Sequence, residues 1–174
     1  MRLIFAFAGV CLGALGVARG EPAAAQTPSS CTASEYRQLD FWLGDWDVYD
    51  VGGAPQSVAR ARITRILDGC VVHELYESAD GARGESFSIF DHTRRLWHQS
   101  WVTNRGRLLQ IEGGVASGRV VLTGRYLDNT GRPMVIRGSW WPVPAGVREF
   151  AEVSADDGRS WKPDFDLIFR PHRD

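Results

Sequence analysis

Beyond its first 20 residues the chain has no apolar run approaching the roughly 20 residues that a membrane-crossing helix needs. It also has no excess of basic charge. Residues 1–20 carry two arginines and no acid, so the remainder holds 18 basic and 21 acidic residues, a formal net charge of −3. Nucleic acid or anionic lipid would call for a basic face, so neither is an expected partner and no stable membrane insertion is expected. Nucleophile motifs, phosphate-binding loops, dinucleotide fingerprints and metal-ligand spacings are missing, which tells against the common enzyme classes. Helical periodicity is missing too: no stretch keeps a 3.6-residue apolar period over about eleven residues. Cysteine is scarce, at Cys11, Cys31 and Cys70.

What the N-terminus does contain is a short basic start, Met1-Arg2, an apolar run from Leu3 to Val17, and small residues at Ala18-Arg19-Gly20 and Ala23-Ala24-Ala25. That pattern describes a secretory signal peptide over 1–20, cleaved after Gly20 or as late as Ala25. Cys11 follows Val10 inside the run, a poor site for lipid attachment. The protein is therefore expected to be exported, to the periplasm or beyond. Residues 21–33, rich in Ala, Pro, Ser and Thr, read as a flexible tether. Residues 34–174 suit a single domain.

In an oxidising compartment Cys31 and Cys70 are most simply a disulfide. Closing a loop of about 40 residues would stabilise by roughly 3–4 kcal/mol in the chain-entropy model. Two free thiols, with Cys70 buried, are the alternative. The four scattered histidines offer no partner set for zinc, and no metal is expected.

Ser34–Leu39 suits one helical turn with Ser34 as its N-cap. An aromatic cluster, Asp40-Phe41-Trp42-Leu43-Gly44-Asp45-Trp46, leads into the first of ten short segments. These are Asp45–Asp50, Ser57–Leu67, Cys70–Ser78, Glu85–Phe90, Leu96–Thr103, Arg107–Gly113, Arg119–Leu127, Met134–Trp141, Val147–Ser154 and Trp161–Arg170. Tight-turn residues such as Gly52-Gly53, Asp80-Gly81 and Ser117-Gly118 follow each of them. Loops this short join antiparallel neighbours, since parallel strands need long crossovers. A ten-strand meander most simply closes into an all-β, up-and-down antiparallel barrel, which removes its exposed edges. An immunoglobulin-like sandwich would need longer crossings than the sequence has room for.

Several of these stretches carry a resemblance. Asp40-Phe41-Trp42-Leu43-Gly44-Asp45-Trp46-Asp47-Val48, Asp68-Gly69-Cys70, Trp97-His98-Gln99-Ser100-Trp101-Val102, Val147-Arg148-Glu149 and Ser154 to Trp161 resemble an uncharacterised bacterial family of the calycin superfamily. That superfamily includes lipocalins, fatty-acid-binding proteins and nitrobindins. The likeness covers roughly residues 38–170 and implies a barrel of eight to ten strands around an internal cavity. Nitrobindins hold haem through a histidine, but that ligand maps onto no histidine here and their glycine-rich entry motif is missing, so no cofactor is expected.

Within the barrel, Trp97, Gln99 and Trp101 share one strand face. A core needing only bulk would not favour a glutamine between two indoles, because a buried amide must find a partner. A ligand cavity would favour it, although a dry core with a paired Gln99 also fits. Trp46, Glu74, Tyr76 and Trp141 are expected to join this wall. Arg137, on one face with Val135, Ser139 and Trp141, and Arg148, with Phe150 and Glu152, are candidate polar anchors. Pointing inward, either would need a carboxylate partner or an anionic ligand; pointing outward, it would be an ordinary surface residue. Adjacent strand residues face opposite ways, so His73 with Glu74, or His98 with Gln99, cannot work as a pair on one side. Ser154-Ala155-Asp156-Asp157-Gly158-Arg159-Ser160-Trp161 matches an Asp-box, here a structural hairpin whose Asp side chains bond the turn.

The leading expectation is thus an exported barrel that binds a small hydrophobic or amphipathic molecule, anionic if an arginine points inward. Two alternatives stand beside it. One is an isomerase-, cyclase- or lyase-type enzyme using Glu74, Glu149, Glu152 or His98. The other is a filled barrel that acts through its surface as an envelope interaction partner.

Overall fold

The computed structural model describes residues 31–173. The expected signal peptide and most of the expected tether lie outside them. All ten expected strands are present: β1 Gly44–Asp50, β2 Ala59–Ile66, β3 Val71–Ser78, β4 Arg83–Asp91, β5 Leu96–Thr103, β6 Leu108–Ala116, β7 Arg119–Leu127, β8 Pro133–Val143, β9 Gly146–Ser154 and β10 Lys162–Pro171. Each pairs antiparallel with its sequence neighbours, and β1 pairs with β10 from Trp46 opposite Pro171 to Asp50 opposite Leu167. The sheet is a closed barrel, so the sandwich alternative is excluded.

The turns show why so short a set of loops suffices. Ser117 and Gly118, at φ 50° and 75°, form the two-residue link between β6 and β7. Two consecutive positive φ values are what a type I′ hairpin requires. Elsewhere an aspartate ties the loop: the Asp128 carboxylate accepts from the N–H groups of Thr130 and Arg132, and Asp91 from those of Thr93 and Arg94.

Alternation decides which side chains point inward. Val48, Ala61, Ile63, Val72, Phe90, Ile111, Leu122, Ile136, Ala151 and Phe169 are buried and build the interior. The outer wall carries ion pairs instead, among them Arg62–Asp45 at 2.7 Å and Arg94–Glu112 at 2.8 Å.

One end of the barrel is plugged by the N-terminal segment, which makes two short 3-10 turns, Ser34–Arg37 and Asp40–Trp42. Ser34 is the first helical residue and not the N-cap; Ala33 holds that position and makes no side-chain cap, while the Ser34 hydroxyl turns to Glu35. Tyr36 meets Phe90 edge-on, and Trp42 lies against Trp140 and Phe169, with ring centres 5.5–6.0 Å apart. Side-chain donors help to fix the plug. Trp97 Nε1 donates to Gln38 Oε1, Trp46 Nε1 to the Trp42 carbonyl, and Arg65 to the carbonyls of Tyr36 and Gly69. The Cys31–Cys70 disulfide joins this plug to the turn between β2 and β3, with Cα atoms 5.0 Å apart.

Candidate functional site

The plug fills only one end. Toward the other, the barrel holds a cavity of about 380 Å³, near the lower end of the range for small-molecule sites of about 300–1,000 Å³. Trp101, Tyr76 and Trp140 supply its aromatic surface; Ile111, Ile136, Phe165 and Leu167 supply its aliphatic and remaining aromatic surface. Gln99, Glu74 and Glu149 supply its polar groups, and Asp50, Arg107 and Asp164 stand among the residues of the mouth. Depressions of similar volume on the outer wall, beside Leu75 and Val102 and beside Arg62 and Glu77, are more open to solvent.

The aromatic wall depends on a glycine. Gly84 on β4 stands next to Trp101, where a Cβ would come within 2.2 Å of the indole. The missing side chain lets Trp101 lie flat against the strand, meeting Tyr76 edge-on at 5.9 Å. Gln99 is buried and donates to Ser88 Oγ at 3.0 Å.

The two glutamates define the electrostatics. Glu74 is 5% exposed and accepts from Ser86 Oγ at 2.9 Å. Burial raises its pKa to about 7, against a small lowering by the serine. Glu149 comes from β9, four strands away round the barrel, so the two carboxyls approach the cavity from nearly opposite walls. Glu149 is partly buried and lines the cavity. Burial and the Glu74 charge push its pKa well up; only the Trp140 indole lowers it. That indole N–H is buried and makes no hydrogen bond of good geometry. Tyr76 is pushed up by burial and by the surrounding acids, Glu149 foremost. Among the described residues no cation is paired with either glutamate. Arg107 lines the same cavity but sits over the Tyr126 ring, 5.1 Å from its centre.

The structure brings Glu74, Tyr76, Gln99 and Trp101 together in one cavity. Trp46 and Trp97 are inward but belong to the packing under the plug. Arg137, Trp141 and Arg148 are not in the cavity, and the expectation that they would line it is corrected. On β8 the inward set is Met134, Ile136, Gly138 and Trp140, so the intervening residues face outward. Arg137 pairs with Glu152 at 2.8 Å and lies over Trp161. Arg148 pairs with Asp166, and Trp141 is flanked by Arg119 and Arg148 at 4.0 and 5.6 Å. Trp161 reaches Arg137 from the Asp-box hairpin, where Asp156 accepts from Ser154 and Ser160 and Trp161 Nε1 donates to the Gly158 carbonyl. Sequence reasoning missed Trp140 as a cavity residue. In Trp140-Trp141 one indole must face each way, but the two are chemically alike and nothing local in the sequence says which of them is inward.

On the outer wall, His98 Nδ1 is 2.8 Å from Glu112 and its Nε2 is 2.9 Å from Ser100 Oγ. The order resembles a charge relay, yet neighbouring backbone N–H groups belong to the β4–β5–β6 ladders and offer no oxyanion site. Arg94 also holds Glu112 bidentately, keeping its carboxyl well below the usual range. No histidine lines the cavity. Among the described residues no group of three or more His, Cys, Asp or Glu side chains is placed to hold a metal ion. No protein-family model matches the chain, and no curated protein matches it significantly.

Proposed function

We propose that this chain is an exported binding protein of the calycin type, whose barrel takes up one small hydrophobic or amphipathic molecule. The observation that carries this reading is the half-plugged interior. Aromatic and aliphatic side chains surround about 380 Å³ of space into which Gln99, Glu74 and Glu149 project. A barrel selected only for stability would be filled, because unfilled volume forfeits packing energy. Apolar walls with a few convergent polar groups are the usual make-up of a ligand site. The disulfide and the N-terminal leader pattern support export.

Titration of the purified chain with a panel of hydrophobic acids, alcohols and amines, followed by tryptophan fluorescence, tests the reading. Saturable change at one molecule per chain is expected, with Trp101 and Trp140 as reporters. No saturable response to any member would overturn it.

A second reading rests on Glu74. A carboxyl titrating at about 7 inside a shielded cavity is placed for general acid–base chemistry. Mass analysis of the bound molecule separates the two: a binder returns it unchanged, an enzyme returns product.

A further inference from the structure

Resting on the binding reading, we propose that the molecule held is an organic cation, an amine on an apolar body whose ammonium group is received by Glu74 and Glu149. Four acids face this cavity, Asp50 from β1, Glu74 from β3, Glu149 from β9 and Asp164 from β10, and one base, Arg107, stands before β6. Tyr76 is the other titratable group there. Arg107 is occupied with the Tyr126 ring. The arginines that would have received an anion, Arg137 and Arg148, are paired on the outside. An anionic ligand would thus find no free cation to pair with, and would be repelled by either glutamate that ionises.

A cation has the opposite experience. Two carboxyls buried among apolar groups without a positive partner are costly in their ionised form, and an ammonium supplies that partner. The aromatic faces of Trp101 and Tyr76 add cation–π attraction within the same space. The buried Trp140 N–H, which has no hydrogen-bond partner, is beside Glu149 and can donate to it once it is ionised. Near neutrality the empty pair retains protons that an incoming ammonium displaces to solvent, since a neighbouring positive charge lowers a carboxyl pKa.

Isothermal titration of the full chain with phenylbutylamine, phenylbutanol and phenylbutyrate, three probes with one apolar body, tests the proposal. The amine should bind about tenfold or more tighter than either of the others. Near pH 7 its binding should release about one proton, read from the dependence of the heat on buffer. Glu149→Gln and Glu74→Gln should each weaken the amine about tenfold and the alcohol by much less. Both are near-isosteric, and a retained melting transition certifies that they fold. If the alcohol or the acid binds as tightly as the amine, the cation proposal fails and the binding reading stands. If none of the three binds, both fail.

Discussion

Trp97 is fully buried with its indole N–H on Gln38 of the plug, whereas Trp101, four residues further along the same face of β5, lines the open cavity. Their substitutions should therefore separate. Trp101→Ala is expected to weaken ligand binding about tenfold or more, because an aromatic anchor in a pocket carries much of the contact energy. Trp97→Phe should leave affinity nearly unchanged and cost about 1–3 kcal/mol in denaturant unfolding, from lost volume and an unpaired Gln38. Glu74 makes a different prediction. Its folded pKa of about 7 exceeds the ordinary 4.5. Between these values the folded chain keeps a proton that the unfolded chain releases, so stability falls as pH rises through the window and stays reduced above it. Urea midpoints measured at pH 5 and pH 8 should show this fall. Glu74→Gln should make the profile shallower, with Glu149 carrying the rest of the fall, and raise stability at the higher pH by on the order of 2 kcal/mol. Parallel profiles for the two proteins would contradict it.

At the scale of the strand, what was legible in the sequence and what was not follows from the period of two. Turn residues marked all ten strands, and no expected end is more than three residues from the observed one. Facing was legible where the two faces differ in kind, as in β5, with Trp97, Gln99 and Trp101 on one side and His98 and Ser100 on the other. It was not legible in β8, where Trp140 and Trp141 are chemically alike. There the outer face is not simply solvated: Arg137 lies over the Trp161 ring, and Val135 and Ser139, at 7% and 9% exposed, are nearly as buried as core residues. Contact between distant segments produces that arrangement, and no local pattern encodes it. The same holds for the Glu74–Glu149 approach from β3 and β9, which exists only once the barrel closes. Gly84 on β4 is the strand-scale counterpart of Trp101. Gly84→Val should push the indole into the cavity, lowering affinity and costing about 1–3 kcal/mol through overpacking; unchanged binding and melting temperature would show that the indole can move aside freely.

Over the whole molecule, closure and plugging divide the labour. The barrel closes through β1 and β10 independently of the plug, while the Cys31–Cys70 bond and the Arg65 hydrogen bonds hold the N-terminal segment over one end. Cys31→Ser with Cys70→Ser should lower unfolding free energy by roughly 3–4 kcal/mol, the value for a closed loop of about 40 residues. Its circular dichroism should retain the β signature, since no strand hydrogen bond depends on the disulfide. On the binding reading, the plugged end leaves the opposite end as the entrance, where a ligand would pass Asp50, Arg107 and Asp164 before meeting the glutamates.

The native mass spectrum of protein purified from its own source tests the central claim, an occupied interior, most directly. A single added mass of one small molecule per chain, lost from Trp101→Ala, is expected. The bare chain mass throughout, together with failure of any hydrophobic acid, alcohol or amine to add to it, would contradict the claim.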